Sequence, residues 1–108
     1  MNQGIAFPIV RAYVNIRAAD LMRFEAAEKF ARGETCGAQA NMAKLRASES
    51  AWEGANVALQ TFGGFGFAVD YDIERKFREV RLHQVAPVST KMILSYMAEH
   101  VLDLPRSF

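Results

Sequence analysis

The sequence is poor in cysteine, in charge of one sign and in long apolar runs. Its single cysteine, Cys36, cannot form an internal disulfide, which fits a reducing compartment. The net charge of +1 provides no broad field for binding nucleic acid or an anionic membrane. No apolar run approaches the roughly 20 residues that span a bilayer, and the first ten residues lack a signal-peptide pattern. We therefore expect a cytoplasmic protein with neither nucleic acid nor membrane as a partner.

The residues that are present predict one all-α domain over 1–108. With 108 residues, 51% of them hydrophobic, the chain can form a core. Apolar residues recur with helical spacing in four segments, and no segment shows the two-residue alternation of a strand. The pattern predicts an up-and-down helical bundle with helices at approximately 8–31, 38–62, 72–84 and 88–102.

Local signals indicate where these helices begin and end. Pro8 suits the first turn of a helix, because the N–H that proline lacks would be unpaired there. Gly33 is the expected C-terminal cap of the first helix. Asp72 is the expected N-cap of the third helix, through side-chain bonds to backbone N–H groups.

A glycine-rich stretch, QTFGGFGF, follows the second predicted helix and has two readings. It lacks the strand and the spacing of the dinucleotide fingerprint, and no Walker-type GK[ST] follows it. In the first reading the glycines only terminate the helix. In the second reading the backbone approaches a ligand closely, with bare N–H groups aimed at phosphate oxygens and the Gln60 amide beside them.

Other polar residues carry no recognisable site chemistry. The histidines, His83 and His100, and the lone cysteine lack the spacing of metal ligands, so no metal site is expected. The basic run RKFREVR contains Glu79 and follows Glu74, so it reads as a solvated helix face rather than a nucleic-acid surface.

Two longer stretches resemble the C-terminal helical domain of acyl-CoA dehydrogenases. They are MAKLRASESAWEGANVALQTFGGFGF and DYDIERKFREVRLHQVAPVSTKMILSYMAEHVL, and the resemblance extends over roughly Pro8 to Leu104. It implies a four-helix bundle whose first helix is missing from this chain. It also implies FAD as the cofactor, an acyl-CoA thioester as the substrate and a homo-oligomeric assembly.

The resemblance also implies roles for particular residues. Gln60, Gly63 and Gly64 match the family turn that contacts the ADP half of FAD bound mainly by a neighbouring subunit. Ser89 and Lys91 match positions that approach the flavin.

The loop before the last helix departs from the family pattern. Pro87 stands where many members carry the catalytic glutamate, and Val88 replaces the glycine that follows it beside the substrate. Proline has no titratable group, so no catalytic residue is expected in this chain.

These observations lead to two hypotheses. The first is a C-terminal domain or fragment of an FAD-dependent acyl-CoA dehydrogenase, contributing to FAD binding and subunit assembly but inactive alone. The alternative is a free-standing helical interaction module derived from that domain without catalysis. In either case the face of Val10, Val14 and Leu21, or the face next to it, would lose part of its cover without the missing helix, so we expect the chain to self-associate.

Overall fold

The computed structural model describes residues 2–106, and within them it contains four α-helices and no strand. The helices are α1 (Gln3–Ala31), α2 (Gly37–Phe62), α3 (Ile73–Leu82) and α4 (Thr90–His100). Two short 3-10 turns, Gly63–Phe67 and Val69–Tyr71, connect α2 to α3. The predicted all-α fold is confirmed. Over the same residues, no helix is both long enough and apolar enough to cross a membrane.

Helices α1 and α2 form a long antiparallel hairpin with a seam of small residues. Ala12, Ala19 and Ala43 are buried, and small side chains let two helix backbones approach closely. The reversal between them is a Schellman motif in which Gly33 has φ of +71°. Its N–H donates to the Phe30 carbonyl at 3.0 Å, and the Glu34 N–H donates to the Lys29 carbonyl at 2.9 Å.

A polar network crosses the same seam and fixes how the two helices are aligned. The Asn15 amide donates to Glu53 at 2.7 Å and accepts from Arg46 at 3.1 Å. The Ser50 hydroxyl, which is buried, donates to the Asn15 carbonyl at 3.3 Å. Sliding one helix along the other would break these bonds together, so they specify one register.

Helix α2 is the element on which the other helices pack. Helices α1, α3 and α4 each contact α2, and no two of these three approach each other within 8 Å at their Cα atoms. Trp52 of α2 packs on Phe77 of α3, with ring centroids 4.6 Å apart. At the other end of α2, the Tyr96 hydroxyl of α4 lies against Gly37. The bundle is therefore open between α1 and α3.

The predicted start of the first helix is wrong by one and a half turns. The helix begins at Gln3 rather than at 8, because the Asn2 side chain caps it by accepting the Gly4 N–H at 2.7 Å. Pro8 lies inside the helix, where it removes only the one bond that would have reached the Gly4 carbonyl. Helix α2 begins at Gly37, one residue before the predicted start.

Asp72 is the N-cap residue of α3 as expected, but the capping bond expected from its side chain is absent. Asp72 adopts a left-handed backbone, with φ of 63°, and its side chain makes no capping bond. Its carboxylate instead binds the Arg75 guanidinium. Helix α3 spans Ile73–Leu82 rather than 72–84. Helix α4 spans Thr90–His100 rather than 88–102, and it begins at Thr90 because Ser89 is its N-cap residue.

Candidate functional site: the glycine turn and the loop before the last helix

The glycine turn begins with a residue that only glycine adopts easily. Gly63 ends α2 with φ of 61° and ψ of −138°, a backbone region that is strained for residues with a Cβ. Its N–H donates back to the carbonyls of Leu59 and Gln60. The expectation of a bare N–H is therefore wrong at Gly63, because this donor is used by the helix cap.

The next two glycines differ in their surroundings. A Cβ on Gly66, which is buried, would lie 2.8 Å from Cδ1 and 3.0 Å from the carbonyl oxygen of Leu59. Gly66 is thus required by packing against the last turn of α2. A Cβ on Gly64 would meet nothing within 4 Å, and Gly64 has no positive φ. Neither strain nor packing explains Gly64.

Gln60 lies exposed in the last turn of α2, facing the beginning of α1. Within residues 2–106 its side-chain amide makes no hydrogen bond, so both its donor and its acceptor remain available to a ligand. It lines a groove of about 540 Å³ together with Gly4 and Pro8. Pro8 leaves the Gly4 carbonyl without its usual helical donor, which adds a second polar group at this groove.

Aromatic rings support the glycine turn from the side of α3. Tyr71 packs edge-on against Phe62 at 5.8 Å and against Phe65 at 5.7 Å between ring centroids. These contacts join the end of α2 to the second 3-10 turn. The turn is therefore held by packing on one side, while Gln60 and Gly64 remain open on the other.

The second candidate group lies in the loop that leads into α4. The Ser89 hydroxyl accepts the Met92 N–H at 3.3 Å, so this side chain caps the helix. Lys91 is exposed in the first turn of α4, and Val88 is also exposed. Pro87, at the position of the family's usual base, is exposed as well and follows a cis peptide bond.

The structure does not bring these two groups together. The Lys44 ammonium donates to the His83 carbonyl, and the Thr90 N–H donates to the Gln84 carbonyl at 3.1 Å, so the loop lies beside Lys44. Sixteen helical steps lead from Lys44 to Gln60 along α2, a distance of about 24 Å at 1.5 Å per step. The two groups therefore lie at different ends of α2.

The loop before α4 is held by contacts with α2. The sequence pattern did not predict these contacts. Lys44 is the residue that anchors the loop to α2, through the His83 carbonyl. Arg81 lies over the Trp52 ring, with its guanidinium carbon 5.2 Å from the centroid. Lys44 lies in the family-like stretch MAKLRASESAWEGANVALQTFGGFGF, which gave no indication of a contact 39 residues away.

The acidic side chains of α3 pair with its arginines. Arg75 lies between Asp72 and Glu79, and Arg78 pairs with Glu74 at 2.9 Å. The hydrogen bond from Arg75 holds the pKa of Asp72 below its usual value. This pairing supports a solvated helix face. Across the described residues, no group of three or more His, Cys, Asp or Glu side chains could hold a metal ion.

Comparison with known proteins identifies the family. Residues 1–102 match the family described as "Acyl-CoA dehydrogenase, C-terminal domain". The chain belongs to the acyl-CoA dehydrogenase family. The fold expected from the resemblance, a C-terminal helical domain of an acyl-CoA dehydrogenase, agrees with this match.

Named relatives show how much of an acyl-CoA dehydrogenase the chain represents. Acyl-CoA dehydrogenase FadE12 of Mycobacterium tuberculosis is 35% identical over 109 residues, which cover 99% of this chain and 28% of that protein. An acyl-CoA dehydrogenase of Bacillus subtilis is 38% identical over 84 residues, covering 78% of this chain and 22% of the relative. A 3-(aryl)acrylate reductase of Clostridium sporogenes is 36% identical over 100 residues, covering 93% and 26%. The chain thus spans about a quarter of the length of these curated relatives.

Proposed function

We propose that this chain contributes part of the FAD site of an FAD-dependent acyl-CoA dehydrogenase. FAD, when bound, would accept hydride as the Cα–Cβ bond of an acyl-CoA thioester is oxidised. The observation that carries the proposal is Gly64. Neither backbone strain nor packing requires a glycine at this position, and its missing Cβ leaves open space. A ligand that approaches the backbone would use that space.

Gln60 and the glycine turn fit the ADP half of the cofactor. The unpaired Gln60 amide can both donate to and accept from polar groups of a nucleotide. Gly63 would act indirectly, because its strained backbone sets the direction of the turn while its N–H serves the cap. We assign Gln60 and Gly64 direct contacts, and Gly63 a positioning role.

Ser89 and Lys91 are assigned to the flavin end of a cofactor. Ser89 and Lys91 lie far from Gln60 along α2. This distance supports an arrangement in which one chain contacts both ends of one FAD molecule, or contacts the FAD molecules of two subunits. Val88, exposed beside Ser89, is assigned to the substrate side. Because Pro87 supplies no base, the proton from the acyl-CoA substrate would be taken by a group at another position of the complete enzyme.

The chain alone is proposed to be inactive and homo-oligomeric. It spans about a quarter of its relatives' length, so most of a flavin and acyl pocket would come from other segments. One observation favours the alternative of a helical interaction module without catalysis, namely Pro87 at the position of the usual base. Retention of an open Gly64 beside an unpaired Gln60 favours the flavin role.

A graft tests the flavin role. The chain would replace the matching segment of the Mycobacterium tuberculosis acyl-CoA dehydrogenase, and the visible absorbance of flavin per subunit would be measured after purification. We expect the graft to retain FAD, Gln60→Ala to lose most of it, and the control Gln39→Ala, on the first turn of α2, to keep it. A graft that unfolds cooperatively yet carries no FAD would refute the proposal.

A further inference from the structure

The loop before α4 is tied to α2 at one polar contact. Helix α3 ends at Leu82, and the next carbonyl along the chain, that of His83, accepts a hydrogen bond from the half-buried Lys44 of α2. Among the described residues, no other hydrogen bond joins 83–89 to α2. Because Lys44 projects from a long, regular helix, this contact fixes where the loop leaves α3.

The next carbonyl along the chain joins this anchored backbone to α4. The Gln84 carbonyl accepts the Thr90 N–H at 3.1 Å, and the Gln84 side chain accepts a hydrogen bond from Arg81. Thr90 is the first residue of α4, and it stands between Ser89 and Lys91 in the chain. The directions of these two flanking residues therefore depend on where the Gln84 carbonyl is held.

Packing of α4 on α2 does not by itself orient the start of α4. The contacts of α4 lie beyond its first three residues, where Ile93 is fully buried and the Tyr96 hydroxyl lies against Gly37 of α2. Apolar burial has no preferred direction, whereas a hydrogen bond has one. The orientation of the first turn of α4 therefore depends on the bond to Gln84, and through that bond on Lys44.

We infer that Lys44 is a positioning residue for the flavin end of the FAD site. It acts through the loop that it anchors, whose Ser89 and Lys91 are assigned to the flavin, rather than on the cofactor itself. This inference rests on the proposed function. The Gln60 end of the site lies about 24 Å from Lys44 along α2. The two ends are therefore separable, and removing the Lys44 ammonium disturbs how the flavin ring is held while the ADP half stays bound.

Two measurements on Lys44→Met test this inference. In the whole chain, hydrogen exchange at the Thr90 amide should become about fivefold faster, the factor that corresponds to one hydrogen bond of about 1 kcal/mol. Amides of the α1–α2 hairpin should keep their rates. In the graft described above, the FAD content should equal that of the unchanged graft, whereas the visible circular dichroism of the bound flavin should fall, because this signal reports how the flavin ring is oriented.

Two further variants separate positioning from a general effect on the fold. Lys76→Met, at an exposed lysine of α3, is the matched control and should change neither measurement. Lys44→Arg keeps a charged donor and should restore both. Unchanged exchange at Thr90 would overturn the inference, and so would faster exchange with unaltered flavin dichroism, in which case the FAD site stands. Faster exchange throughout the chain would assign Lys44 to the fold and overturn the inference. An unchanged graft without FAD would overturn the inference and the proposed function together.

Discussion

Alanine substitutions at Gly63 and Gly64 should have opposite effects on stability. Gly63 has φ of 61° and ψ of −138°, so Gly63→Ala places a Cβ in a strained backbone region and should cost about 1–3 kcal/mol. Gly64 has no positive φ, and an added Cβ meets nothing within 4 Å. Gly64→Ala should therefore be neutral, or should stabilise by about 0.4–1 kcal/mol through the loss of unfolded-state freedom.

Urea unfolding followed by circular dichroism measures this difference. With a slope of about 1–3 kcal/mol per molar urea, the midpoints of the two variants should differ by on the order of 1 M. Both proteins must be compared at one concentration, because self-association adds to apparent stability. If Gly64→Ala loses as much stability as Gly63→Ala, then Gly64 has a structural role that the geometry does not account for.

The same pair tests the cofactor assignment in the grafted protein. There, Gly64→Ala should lower the FAD content without lowering the melting temperature, because the new methyl group would occupy ligand space. Gly63→Ala should lower the melting temperature, with any flavin loss following from it. Full flavin content in Gly64→Ala would remove the main support for the proposed site.

Three further substitutions test particular contacts. Lys44→Met keeps the aliphatic stem but removes the bond to the His83 carbonyl, so it should cost about 1 kcal/mol and speed amide exchange in the following loop. Asn15→Ala removes one hydrogen bond from Glu53 and one from Arg46, which still pairs with Glu49, and urea unfolding should show a loss of about 1 kcal/mol. Hydrogen bonds, first from Arg32, lower the pKa of Glu34, so its stabilising effect is present at neutral pH. That effect is lost as pH falls from about 4.3 through the folded pKa. Glu34→Gln should therefore make the melting temperature less dependent on pH in that range.

The sequence predicted elements best where local chemistry decides them. The predicted second helix, 38–62, differs from Gly37–Phe62 by one residue, because an alanine-rich run continues until a glycine with positive φ stops it. The predicted start of α1 is wrong because the prediction placed Pro8 in the first turn of the helix. A single cap by Asn2 outweighs the one hydrogen bond that Pro8 removes.

The arrangement of the candidate site could not be predicted in the same way. The position of Gln60 before a glycine turn follows from neighbouring residues. The separation between that turn and Ser89 depends on how α3 and α4 return along α2. The Lys44 contact that fixes this return joins residues 39 positions apart, and no periodicity reports such a pairing.

The core explains why a partner surface matters for this fold. Among the described residues, the buried hydrophobic ones are Ala12, Ala19, Ala43 and Ile93, so three of the four are alanines with little apolar area to bury. Each larger side chain that remains exposed forgoes about 1.5–3 kcal/mol of burial. No two of the helices α1, α3 and α4 approach each other within 8 Å at their Cα atoms, and the larger apolar side chains of α1 remain exposed. Covering them requires a polypeptide surface that these four helices do not supply.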